Sequence, residues 1–167
     1  NIAWKMARMR PQNFPHRRIA TLAAIVAKHF ALANKILAIK NEEEARALFD
    51  INLTGYWARH FNFSPTTASA GKALSQSSIT VLLINVVAPV LYAYGTYTGD
   101  SKRQETAISL LQSLKPVRNS IIDIYERAGL KPTDAFTTQA MIQLRREYCQ
   151  QRKCLFCRIG HKLLSSK

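Results

Sequence analysis

Apolar side chains recur at helical spacing along most of this chain, and no segment alternates as a half-buried strand would. Ile19, Leu22, Ala23, Val26 and Phe30 fall on one face of a helix that Pro15 is suited to open, because a first-turn proline has no needed N–H to lose. His16, Arg17 and Arg18 fill that first turn, where positive charge opposes the helix dipole; a local rule broken in this way marks a candidate site. Asn41 followed by Glu42, Glu43 and Glu44 is a cap followed by acids that complement the dipole, with Leu48, Phe49 and Ile51 as the buried side. From Gly55 to Pro65 the chain is turn-rich and aromatic, carrying Tyr56, Trp57, His60, Phe61 and Phe63.

Leu74 to Tyr94 is apolar nearly all round and is expected to be a central helix enclosed by others. Pro89 removes one backbone bond and crowds the Asn85 carbonyl, so a bend is expected there. Gly95 to Asp100 is expected to be a loop, and Ser101 to cap a helix reaching about Leu114. The next helix carries Val117, Ile121, Ile124 and Tyr125 on one face and stops at Gly129. Thr133 or Asp134 starts a last long helix with Phe136, Ala140, Met141, Leu144 and Tyr148, which delivers Cys149 at its end. The fold class is all-α: a multi-helix bundle of about five to seven helices with a central buried helix. Residues 1–148 form the bundle, and residues 149–167 a cysteine-rich basic tail packed on it.

Charge changes the picture. Lys plus Arg number 24 against 10 Asp plus Glu, a net +14. No acid precedes Glu42, and from Arg145 onward Glu147 is alone against seven cations that end at Lys167. Such a field attracts polyanions: nucleic acid, an anionic surface, or an acidic partner. The most apolar run, Ile79 to Ala93, contains Asn85 and Pro89 and is short for a span of about 30 Å, so a core helix is expected and not a membrane span. The chain opens at Asn1 with neither an initiator methionine nor a signal-like segment, and a cytoplasmic piece of a longer protein is expected.

The three cysteines lie within Cys149 to Cys157, an odd and clustered set that fits a reducing compartment better than a disulfide framework. The spacing C-x4-C-x2-C, with His161 after a further x3, lies in the range of zinc sites, and thiolates suit zinc or an iron–sulfur cluster. Cys149, Cys154 and Cys157 would form a tripod, with His161 or His60 as fourth ligand. A Cys154–Cys157 redox pair or plain reduced thiols are the alternatives. Arg8-x-Arg10-Pro11-x-Asn13-x-Pro15 and the following Arg17 and Arg18 present guanidiniums on a proline-stiffened frame. With Arg152, Lys153 and Arg158 of the tail they are the candidate anion- or nucleic-acid-binding residues. Nothing matches a nucleophile elbow, a phosphate-binding loop or a zincin motif, so a self-sufficient enzyme is not expected.

The motif R-x-R-P-x-N-x-P-x-x-R at Arg8 to Arg18 resembles an uncharacterised bacterial family, common in Bacteroides-like bacteria and known only as a domain of unknown function. So do I-N-x-V-x-P at Ile84 to Pro89 and Y-C-x4-C-x2-C-x-I-G at Tyr148 to Gly160. The resemblance runs over nearly the whole chain. Members are longer, which implies that this is a C-terminal half whose missing N-terminal half is its partner. The resemblance further implies that the upstream half carries an acidic V-E-x-H-type segment suited to a restriction-like nuclease core, and that the cysteines close an iron–sulfur cluster as in some such nucleases. It supplies no established activity. Three functions are therefore carried forward: a metal-clamped nucleic-acid-binding module, an interaction domain docking an acidic half, and part of a metalloenzyme with catalytic groups upstream.

Overall fold

A computed structural model describes residue 4, residues 6–63 and residues 72–165, apart from the side chains at positions 12 and 163. Of the residues named above, Asn1, Pro65 and Lys167 lie outside the described residues. Backbone packing divides the chain into two compact units, Asn1–Ala107 and Ile108–Lys167, with the division inside one helix. The regular structure among the described residues is all helical, without strands, as expected. They form eight helices, with α4 counted as one continuous helix.

In the first unit, α1 spans Pro15–Lys28, α2 Leu32–Leu37 and α3 Glu42–Phe49. The start of α3 is fixed reciprocally: Asn41 accepts the Glu44 N–H, and Glu44 accepts the Lys40 N–H. The three glutamates thus serve the helix end, and Glu42 also holds Arg46 at 2.7 Å. Helix α4 runs Gln76–Thr98 and packs on α2 and α3. It continues through the segment expected as a loop and ends at Gly99, whose φ of 73° supplies the left-handed stop.

Inside α4, Leu83–Val87 makes a widened π turn in which the Ala88 N–H reaches back to Leu83 O. The sequence gives the reason. In a regular helix Pro89 presses on the Asn85 carbonyl, and one extra residue in the preceding turn moves that carbonyl aside. The I-N-x-V-x-P pattern is this turn.

Helix α4 is not enclosed. Ile79, Leu83, Ile84, Val87, Ala88, Leu91 and Gly95 are buried, but Val81, Val86, Val90, Tyr92, Tyr94 and Tyr97 are exposed. Only 39% of its most apolar stretch is buried, and by length and composition alone the helix is long enough to cross a membrane. The expectation of a helix buried on all sides is therefore corrected to one buried on a single face.

Helix α5, Ser101–Ser113, carries the division between the units. Its cap is Asp100, which accepts the Arg103 N–H and pairs with the Arg103 guanidinium at 2.8 Å. That guanidinium also donates to Leu37 O at the end of α2 and lies over the Tyr94 ring.

In the second unit, α6 spans Ser120–Arg127 and α7 Ala135–Leu144, each with a side-chain cap, from Asn119 and Asp134 respectively. Gly129, at φ 85°, lets the Leu130 N–H return to Tyr125 O and ends α6 where expected. The buried side of α6 is Ile122 and Tyr125, with Ile124 outward. Helix α7 runs into a second wide turn, Arg145–Cys149, and α8 spans Arg158–Ser165.

Candidate functional site

The arginine-rich segment folds into a rigid entry to α1. Pro11–Asn13 makes one tight turn, in which the Asn13 N–H bonds to Arg10 O at 2.8 Å and the Phe14 N–H to Pro11 O at 3.1 Å. Pro15 then opens α1, and the Arg18 N–H bonds to Phe14 O. The arginines part company at this point. Arg8, Arg10 and Arg18 are exposed, whereas Arg17 is fully buried.

The Arg17 guanidinium points into the aromatic loop. Nη1 donates to Trp57 O at 2.8 Å and His60 O at 3.3 Å, Nη2 donates to Lys72 O at 3.3 Å, and the plane lies over the Phe61 ring at 5.0 Å. Burial lowers its pKa from the usual value. The Trp57 carbonyl belongs to a one-turn 3-10 helix, Gly55–Ala58, and a five-donor fork can serve it together with the His60 and Lys72 carbonyls. Arg17 was expected to bind an external anion. The structure turns both terminal nitrogens to the protein's own backbone, a correction that follows from burial of the whole side chain.

The loop is a cluster of rings. Tyr56 stacks on His60 at 3.7 Å and meets Trp57 edge-on at 5.2 Å, while His16 meets Phe63 at 5.1 Å. His60 Nδ1 donates to Tyr56 O at 2.7 Å. His60, a candidate metal ligand, is thus engaged within its own loop.

With Arg17 turned inward, α1 buries Arg17, Thr21 and Ile25, and Thr21 Oγ1 donates to Arg17 O at 2.9 Å. The apolar face read from the sequence points outward. Ile19 is 56% exposed, Leu22 59%, and Phe30, just past the helix end, 99%. This reversal is the largest departure from the sequence reading. Its cause is that a buried guanidinium with several carbonyl partners outweighs one more apolar contact.

Beside this face lies a cavity of about 540 Å³, wholly within the first unit. Leu22, Ile25 and Val81 give it apolar walls, and Arg18, Lys72 and Asn13 are among its polar lining; among the described residues no Asp or Glu lines it. Lys72 also pairs with Asp50 at 3.1 Å. Sequence reasoning missed Lys72 and Val81 as site residues. They lie far from Arg18 along the chain, and only the cavity that they line together joins them.

The cysteines sit in the second unit. Past the wide turn of α7, the Lys153 N–H returns to Tyr148 O, and Arg152 adopts a left-handed φ of 53°. A tight turn, Cys154–Phe156, leads into α8, where the His161 N–H bonds to Cys157 O at 2.7 Å. Gly160 is required here, because a Cβ would lie 2.5 Å from Cys154 O. The Y-C-x4-C-x2-C-x-I-G pattern is therefore a compact turn, and its cysteines differ in exposure. Cys149 faces Tyr125 Oη at 3.8 Å, Cys154 and His161 are exposed, and Cys157 is buried.

Among the described residues no three His, Cys, Asp or Glu side chains gather to hold a metal ion. The expected tripod of Cys149, Cys154 and Cys157, completed by His161 or His60, is not formed. Arg152, Lys153 and Arg158 are exposed, and like Arg8, Arg10 and Arg18 they pair with no carboxylate among the described residues.

A family model described as "Protein of unknown function (DUF2851)" matches residues 1–120. The match takes in the arginine-rich entry, the aromatic loop and the π turn, and it ends before the cysteine cluster. No curated protein and no solved structure matches the chain.

Tyr125 yields a pH dependence. Burial first, then its bond to Cys149, pushes its pKa up from 10.0 to about 12. A phenol whose pKa is raised on folding stabilises the fold fully below the unfolded value, and that contribution is lost as pH climbs towards the folded value. Thermal unfolding followed across pH 10 to 12 is expected to show a steeper fall in stability for the native chain than for Tyr125→Phe. Parallel curves would contradict this.

Proposed function

The chain belongs to the DUF2851 family, whose description names no activity, and from that premise we propose that it is an interaction module that docks an acidic, apolar-faced polypeptide segment. The proposed source of that segment is the N-terminal half of the same longer protein. The observation that carries the reading is the reversed α1. A helix that buries Arg17 and Thr21 while holding Ile19, Leu22 and Val26 in solvent has its apolar stripe turned towards something else. Contiguous exposed apolar surface of this kind marks an interface. The exposed valines and tyrosines of α4 extend the same chemistry. The net charge of +14 sets the preference for an acidic partner.

A basic-tail reading has its own support. Phe156 is 81% exposed between Lys153 and Arg158, an arrangement of ring and cations suited to single-stranded nucleic acid.

Co-expression of this chain with the upstream half of its coding sequence is expected to give a complex that survives purification at low salt. Leu22→Asp with Val26→Asp is expected to weaken it by about a hundredfold, the ~3 kcal/mol of two buried aliphatic contacts. Halves that stay apart at low salt, with the chain folded by circular dichroism, would remove the proposal. For the tail, polarisation titration with single-stranded DNA and RNA is expected to show affinity that falls steeply with salt and drops in Lys153→Glu with Arg158→Glu. Binding unchanged in that variant, or no binding at low salt, excludes the tail.

A further inference from the structure

The cavity beside α1 combines two chemistries that rarely share one lining without a ligand to satisfy both. Its walls are aliphatic, from Leu22, Ile25 and Val81, and its charged groups are Arg18 and Lys72, with Asn13 beside them. Among the described residues no carboxylate lines it. Arg18 comes from the first turn of α1, on a frame fixed by the turn at Pro11–Asn13, so its side chain starts from a rigid position. Leu22, one turn along α1, stands in solvent at the same opening.

We infer that this cavity is the specificity pocket of the docking surface. In it a carboxylate side chain of the docked segment pairs with Arg18 while neighbouring apolar side chains of the segment lie on Leu22 and Val81. The inference rests on the interaction reading above and names the chemistry it selects. The volume of about 540 Å³ has room for a few side chains, not a folded domain. An Arg–carboxylate contact formed beside apolar walls is partly shielded from water, where it discriminates more sharply than on an open surface. Lys72 is already held by Asp50 and contributes field more than direct contact. An acidic amphipathic segment is favoured over a purely apolar one, because the latter would bury the Arg18 charge without a partner.

The test uses two fluorescein-labelled peptides of about 18 residues, long enough to form a helix when bound. Both carry Leu along one face; one has Glu on the flanks and the other Gln. The Glu peptide is expected to bind the native chain about tenfold more tightly than the Gln peptide at low salt. Arg18→Ala is expected to abolish that preference, and Leu22→Asp to weaken both peptides. Both positions are exposed, so each variant should keep the far-ultraviolet circular dichroism of the native chain. Equal binding of the two peptides, a preference that survives Arg18→Ala, or no binding of either peptide overturns the inference. Stronger capture by vesicles of anionic lipid than by the Glu peptide also overturns it. Association of the two protein halves without peptide discrimination would leave the docking reading intact and remove this pocket. Discrimination without association of the halves would do the reverse.

Discussion

The buried guanidinium of Arg17 is the constraint from which the first unit is built. Removing a full positive charge from water costs several kcal/mol unless its donors are satisfied. Here the two terminal nitrogens are answered by the carbonyls of Trp57, His60 and Lys72, and the plane by the Phe61 face. The Trp57 carbonyl sits in a single short turn, Gly55–Ala58, and the fork joins it to the carbonyls of His60 and Lys72. The result ties the start of α1 to residues some forty to fifty-five positions away.

That tie sets the rotation of α1 about its axis. Once Arg17 faces inward, Thr21 and Ile25 must follow, and Ile19, Leu22 and Val26 must face out. The same rotation puts Arg18 at the mouth of a cavity closed by the start of α4. An apolar stripe, a positioned cation and a mixed lining thus arise from one buried charge. The half-covered α4 belongs to the same pattern: its packed face meets α2 and α3, and its other face is valine and tyrosine without cover in this chain.

What was legible in the sequence was local. Caps at Asn41 and Asp134, the stop at Gly129 and the disturbance ahead of Pro89 all follow from short-range backbone chemistry, and each appears where its residues stand. Burial was not legible to the same degree. The apolar period of α1 was correctly seen, but period alone does not tell a face turned to the core from one turned to a partner. The placement of His16, Arg17 and Arg18 against the helix dipole was the visible signal that something nearby required positive charge. It did not say which of the arginines would be taken inside. For the cysteines, spacing was compatible with a metal, but among the described residues no three donors gather. The left-handed turn at Arg152 and the close approach of Gly160 to Cys154 have no signature in spacing.

The account stands or falls on which way α1 faces. Single cysteines placed at Leu22 and at Ile25, in a background with Cys149, Cys154 and Cys157 replaced by Ser, would report it through their rates of maleimide labelling. The rotation set by Arg17 requires the position 22 thiol to react near the rate of a free thiol, and the position 25 thiol to react about a hundredfold or more slowly, gated by local opening. Comparable rates at the two positions, or the reverse order, would contradict it.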